Sequence, residues 1–227
     1  MVKNAIESLK KGEFILLYDF DWREGETDFA IRSDAVTAHH ILQMRKDGGG
    51  IIGTAIHPRS ARKMKLPFAS DILNGTEFVE KKGDIPYDRK NHSSFSLWVN
   101  HRETFTGITD NDRALTITKL AEQVRKSMNG DGDDFPEEFR SPGHVPIFRA
   151  AEGLLKLRCG QTELSIALAE MAEINPAVTI CEMLDGHTGE ALSKNDAINY
   201  AKEHSLIFVE GNEVLDTWQK WQGNKRL

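Results

Sequence analysis

Apolar positions along this chain recur with two different periods. Ala5, Ile6 and Leu9 fall at helical spacing, so residues 3–11 are expected to form a helix with those side chains inward. The continuous run Phe14-Ile15-Leu16-Leu17 reads instead as a buried strand, and Phe29-Ala30-Ile31-Arg32 as a short returning one. Thr37 caps a helix to about Arg45 that offers Ile41, Leu42 and Met44 for burial, and Gly48-Gly49-Gly50 breaks it before a strand at Ile51–Ile56. Residues 74–92 are rich in Gly, Asp, Lys and Pro and read as a polar loop or weak hairpin; Ser94–Val99 alternates as a strand. A polar turn at residues 106–113 leads into a helix at 114–128, and residues 129–138 have the composition of a mobile surface loop. Further on, the pattern predicts a strand at 145–149, a helix at 163–173 and a buried strand at 177–182. A helix capped by Ser193 and Asp196 runs to His204, a strand covers 206–209, and a last helix at 211–221 turns Val214, Leu215 and Trp218 inward. No repeat or linker divides this series. Its irregular alternation predicts one α/β (α+β) domain over 1–227, a mixed β-sheet in layers flanked by helices rather than a doubly wound sheet.

Composition narrows the function. With 39% hydrophobic and 28% charged residues among 227, the chain can bury a core. A net charge of -6 opposes general nucleic-acid binding and attraction to an anionic membrane. The start MVKNAIESLKKGE has no signal-peptide core, and no apolar run approaches the roughly 20 residues that cross a bilayer. Two cysteines, Cys159 and Cys181, are too few for a disulfide framework. A cytoplasmic protein with neither nucleic-acid nor membrane partners is the expectation.

The chemistry gathers after the first strand. The stretch YDFDWREGETD carries Asp19, Asp21, Glu24, Glu26 and Asp28 around one arginine, Arg23, with Gly25 where the backbone needs an unusual turn. Such charges repel one another unless a cation, a basic substrate face or solvent neutralises them, so the cluster is either a metal-assisted site or a solvated acidic turn. Arg158 precedes Gly160-Gln161-Thr162 at a helix start, where free N–H groups, the helix dipole, a hydroxyl and a guanidinium suit a phosphate; an ordinary capped helix is the alternative. His144, between Pro142-Gly143 and an apolar strand, is either a proton shuttle or a structural side chain. Glu182 ends the run Val178-Thr179-Ile180-Cys181, as a site carboxylate or a boundary charge. The glycine triplet lacks the Gly-Lys-Ser/Thr of a phosphate loop, and Asp110-Asn111-Asp112-Arg113 lacks the glycine and distal glutamate of a calcium loop.

Taken in order, residues 21–28 (DWREGETD), 105–113 (FTGITDNDR), 141–145 (SPGHV), 158–163 (RCGQTE) and 180–183 (ICEM) resemble the 3,4-dihydroxy-2-butanone 4-phosphate synthases of the riboflavin pathway, in their single-domain archaeal form. The resemblance spans roughly residues 3 to 210 and leaves no room for the cyclohydrolase half that some relatives carry. It implies conversion of ribulose 5-phosphate to a four-carbon ketone phosphate, with carbon 4 expelled as formate. Magnesium is the implied ion, with manganese the alternative. It also implies Glu24 as a metal ligand, Arg23, Glu24 and Asp28 on the sugar, and Arg158, Cys159, Gly160, Gln161 and Thr162 at the phosphate end. His144 and Glu182 would be the essential acid/base groups, Glu182 also touching substrate, and the family implies a homodimer with the site near the subunit interface.

Two positions depart from the family pattern. Gln161 stands where the family carries a metal-ligating histidine; its carbonyl oxygen suits a hard cation, so Gln161 is expected as a ligand, in place of a nitrogen. Gly53 stands where relatives often carry cysteine. The alternative reading is a sugar-phosphate binder whose catalysis is impaired at Gln161; the retained His144 and Glu182 argue against it, since binding alone requires neither.

Overall fold

The computed structural model describes residues 1–78, 88, 90–131 and 134–224. The chain opens with α1 (Val2–Lys11), β1 (Ile15–Tyr18), β2 (Thr27–Arg32) and α2 (Ala38–Gln43), which a π-helical turn, Met44–Gly48, extends. There follow β3 (Gly53–Ile56), α3 (Pro58–Lys63), α4 (Ala69–Leu73), β4 (Phe95–His101) and α5 (Asp110–Met128). The remainder is α6 (Phe135–Glu138), β5 (Phe139–Arg149), α7 (Gln161–Met171), β6 (Ala177–Glu182), α8 (Lys194–Glu203), β7 (Ile207–Glu210) and α9 (Gly211–Asn224).

The strands form one seven-stranded sheet in the order β4-β5-β3-β6-β2-β1-β7. β3–β5 and β1–β7 pair parallel and the other neighbours antiparallel, so the sheet is mixed, as the irregular alternation implied. Alternation along the strands divides the core. Ile15, Leu17, Ala30, Ala55, Phe148, Val178 and Ile180 face one side, packed with α1, α7 and α9; Phe14, Leu16, Phe29, Ile31 and Cys181 face the other, with α2 and α8. Apart from Glu170, every residue of α7 is buried, because the helix packs against β3 and β6 as well as α1 and α9. Truncating Leu164, which has no exposed surface, to alanine would cost about 2–5 kcal/mol.

Several boundaries differ from the sequence expectation for identifiable reasons. β3 begins at Gly53 rather than Ile51, because the Ile51 N–H donates to the Glu182 side chain at 2.8 Å. α5 begins at Asp110: Thr109 accepts from the Asp112 N–H as N-cap, so residues read as a turn form the first helical turn. α7 begins two residues early, at Gln161, with Gly160 as N-cap. β5 starts at Phe139, taking residues 140–144 into the strand, and Phe135–Glu138 is a short helix inside the expected loop. Much of the 74–92 expectation, at residues 79–87 and 89, and residues 132–133 of the expected loop lie outside the described residues.

Candidate active site

At one end of the sheet, the face covered by α7 turns from apolar to acidic. Alternation aims Asp28 and Glu182 to the same side as Ala30 and Ile180, and the β2–β6 register sets those two carboxylates opposite each other. β1 ends at the same level, and residues 19–26 carry the chain back into β2. Glu24, Glu26, Asp28 and Glu182 form the acidic wall of a cavity of about 270 Å³. Arg158, Gln161 and Thr162 line it from the start of α7; Ser93, Ser94, Phe95, Phe148 and Ile180 complete it.

The loop between β1 and β2 is wound around Asp19, which is 1% exposed. Asp19 Oδ2 accepts from Arg23 Nη1 and the Glu24 N–H, each at 3.1 Å, and Oδ1 accepts from the Glu26 N–H at 3.0 Å. Arg23 also pairs with Glu24 Oε2 at 2.8 Å. Gly25 has φ +69°, the left-handed turn its place in the sequence suggested. Asp21 points away: its carboxylate accepts from the Tyr18 hydroxyl at 2.6 Å and its side chain is 80% exposed.

At the start of α7, Arg158 Nη1 is held by Glu163 Oε2 at 2.5 Å, and Glu163 is wholly buried. A methyl group at Gly160 would overlap Arg158 Nη1 and lie 3.0 Å from Arg23 Nη2, so two guanidinium groups flank the N-cap of this helix. Cations, the positive end of a dipole and the Thr162 hydroxyl thus converge on one corner whose chemistry suits an anion. Gln161 Nε2 donates to the Leu17 carbonyl at 2.9 Å and the Glu26 carbonyl at 3.0 Å. The amide orientation is thereby fixed, and Oε1 is buried without a hydrogen-bond partner. Cys159 is half-buried, its thiol on the Leu155 carbonyl at 3.7 Å.

Glu182 Oε2 accepts from the Ile51 N–H, and the adjacent backbone leaves no room for a side chain: a Cβ at Gly50 would lie 2.7 Å from the Glu182 Cβ and 2.9 Å from its carbonyl oxygen. At Gly53 a Cβ would overlap the ring of Phe148, which takes up that space and lines the cavity. His144 is exposed, its N–H donating to Asn100 Oδ1 at 2.8 Å and its ring against the Asn100 amide. Thr54 pairs with both Ile147 and Thr179. His144 precedes the β3-paired part of β5 by three residues, as Glu182 follows Thr179 by three on β6, so both lie toward the same end of the sheet. His144 shares the strand face of Phe148 but, like Arg23 and Cys159, is not a lining residue. Ser93, Ser94, Phe95 and Phe148 were absent from the sequence expectation, and nothing in their local pattern marks them.

Crowding of like charges perturbs the acidic wall. Burial, then Glu24, Glu182 and Asp19, push the Glu26 carboxyl up to about 7. Burial, then Glu182, raise Asp28 well above the usual carboxylate range, and burial likewise raises Glu182 and Asp19. Among the described residues no three His, Cys, Asp or Glu side chains form a self-sufficient metal cage. A magnesium site assembled from one or two carboxylates, substrate oxygens and water does not require one. The orphaned Gln161 Oε1 beside an all-oxygen acidic wall fits that donor chemistry.

The family model described as 3,4-dihydroxy-2-butanone 4-phosphate synthase matches residues 3–217. A curated protein of that name from Methanosarcina acetivorans is 50% identical over 232 residues, covering 99% of this chain and 93% of the relative. One from Archaeoglobus fulgidus is 50% identical over 227 residues, covering 97% and 94%. Among solved structures, a 3,4-dihydroxy-2-butanone 4-phosphate synthase in complex with two magnesium ions matches with TM-score 0.79 at 25% identity, covering 98% of each chain. The Candida albicans enzyme of that name matches at 0.75 and 27%, covering 95% of this chain and 96% of that one. Among the described residues no helix is long and apolar enough to cross a membrane.

Proposed function

The chain belongs to the 3,4-dihydroxy-2-butanone 4-phosphate synthase family, and from that we propose that it is a carbon–carbon lyase converting ribulose 5-phosphate to 3,4-dihydroxy-2-butanone 4-phosphate and formate. The observation that carries the reading is the division of the cavity: a helix start with the Arg158 guanidinium and the Thr162 hydroxyl for the phosphate, and four carboxylates for the sugar carbons.

Arg158 and Thr162, with the N–H groups after Gly160, bind the phosphate and fix the sugar's direction; Cys159 contributes through its backbone. Arg23, Glu24 and Asp28 receive the hydroxyls. Glu182, aligned by the Ile51 N–H, and His144 are the acid/base pair: enediol formation moves a proton from carbon to oxygen, and formate release returns one. Glu26 lies in the same wall with a carboxyl near neutrality. Glu24 and Gln161 Oε1 would hold magnesium, which when bound polarises neighbouring sugar oxygens; manganese is the alternative ion. We further propose a homodimer with the site near its interface. Phe105 (96% exposed) and Ile108 (51% exposed) sit on the loop that packs through Gly107 against Asn100, the partner of His144, and form the apolar surface a second copy would cover. Two free thiols suit a reducing cytoplasmic location, and the single sheet supports one domain over 1–227.

The test is formate release from ribulose 5-phosphate by the purified chain, with magnesium and then with a chelator. Magnesium-dependent formate matched one-to-one by a four-carbon phosphate is the expected result. Absence of formate under both conditions directs attention to residue 161. Recovery in Gln161→His would then identify an impaired member, and no recovery would refute the lyase reading.

A further inference from the structure

Asp19 does not line the cavity, yet its carboxylate is tied by hydrogen bonds to the segment that does. Its side chain has no exposed surface, and its three donors are Arg23 Nη1, the Glu24 N–H and the Glu26 N–H, at 3.0–3.1 Å. Its own N–H donates to the Glu26 carbonyl at 3.1 Å, so residues 19 and 26 close the base of the loop on each other. Charge alone does not explain a buried anion here, because Glu24, Glu26, Asp28 and Glu182 already crowd the same end of the sheet and a further carboxylate adds repulsion. Three hydrogen bonds to one carboxylate offset that repulsion and impose a shape. Asp21, two residues on with the same charge, is largely exposed and takes no part.

We propose that Asp19 is a positioning residue for the reaction. Without touching substrate it sets the Arg23 guanidinium beside Gly160 and turns the Glu24 and Glu26 side chains toward the cavity. This rests on reading residues 23–28 as the sugar-binding segment. Asparagine has the same outline but a single acceptor oxygen, and its NH2 would face a donor, so Asp19→Asn removes the template while conserving volume.

Amide hydrogen exchange on the full chain measures the template directly. In Asp19→Asn the Glu24 and Glu26 amides should exchange about tenfold faster or more, with β1 and β2 amides at wild-type rates. The KM for ribulose 5-phosphate should rise by a similar factor, and by more than kcat falls. Asp34→Asn, which removes a carboxylate paired with Arg32 away from the cavity, should change neither. Should Asp19→Asn fail to fold, Asp19→Ser, smaller and with one acceptor, carries the same comparison. Unchanged exchange at residues 24 and 26 overturns the proposal. So does faster exchange throughout the sheet, or a freed loop with wild-type KM and kcat. If neither the wild type nor Gln161→His releases formate, the lyase reading falls separately. Loop exchange, with titration of inorganic phosphate onto the Arg23–Gly160 corner, then still decides the role of Asp19.

Discussion

Gly160→Ala tests the proposed phosphate corner apart from everything else. Gly160 has φ -91° and ψ 168°, which alanine adopts without strain, so the backbone has no reason to object. The difficulty lies in the new methyl, which overlaps Arg158 Nη1 and approaches Arg23 Nη2 to 3.0 Å. Arg158 is not free to swing aside, because its partner Glu163 is wholly buried and would keep only the Ala151 N–H, at 2.9 Å. Displacing the guanidinium removes one charge-assisted bond to the phosphate, worth about 1.5–3 kcal/mol. That corresponds to a rise in KM of about 10- to 150-fold. Because the carboxylates of the other wall are untouched, kcat should change much less. Leaving Glu163 short of a partner costs a further 1–3 kcal/mol, roughly, which lowers Tm by about 2–4 °C per kcal/mol in a chain of this size. Formate release against substrate concentration gives KM and kcat, and a thermal melt gives the stability term. Gly186→Ala, with nothing near its Cβ, serves as the silent control. A folded Gly160→Ala protein with KM within twofold of wild type would refute the assignment of phosphate to this corner.

Three further outcomes follow from the geometry. His144→Ala should lower kcat by about 100-fold or more while substrate affinity is kept, as loss of an acid/base group predicts; equal loss of affinity in a binding titration would make His144 structural. Gly50→Ala should reduce kcat by pushing the Glu182 carboxylate off the Ile51 N–H, since its Cβ would lie 2.7 Å from that of Glu182; unaltered turnover would show that Glu182 tolerates displacement. The metal-free protein should lose thermal stability as pH rises from about 5 to 8. The folded carboxyls of Glu26, Asp28, Glu182 and Asp19 hold protons above their unfolded values, Glu26 to about 7, so the folded state binds the extra protons across that window. Magnesium should flatten the slope, and a Tm that rises with pH in its absence would reject the account.

Local signals in the sequence were sufficient wherever local physics decides. β6 runs over the predicted residues 177–182 because its run of apolar positions is buried on both faces. The left-handed Gly25 follows from a glycine inside a charged turn. What stayed illegible depends on contacts between distant segments. Nothing in YDFDWREGETD distinguishes Asp19, which turns inward, from Asp21, which turns to solvent. Nothing near Gln161 indicates that its amide reaches the carbonyls of Leu17 and Glu26, and Ser93, Ser94, Phe95 and Phe148 reach the cavity only because β4 and β5 pair at the far edge of the sheet. The resemblance to a family brought the site residues together before the fold did, but it said nothing of what holds them.

What holds them is in large part separate from what the ligand needs. Asp28 and Glu182 occupy directly paired positions, where Cβ atoms lie about 5 Å apart. Two ionised carboxylates at that distance repel by roughly 3 kcal/mol at an effective dielectric of ~20, so the wall is unfavourable unless a proton or a cation intervenes. A loop that organised itself through those same oxygens would have to give up its own bonds on binding. Here most structural bonds run through Asp19 and the Gln161 amide nitrogen; Glu182 and Glu24 each commit one oxygen, to the Ile51 N–H and to Arg23, while Gln161 Oε1 and Asp28 Oδ1 remain without hydrogen-bond partners. The electrostatic cost is therefore carried by groups already fixed in position, and it is relieved when a cation and a polyhydroxylated phosphate ester arrive, so that binding proceeds without dismantling the scaffold.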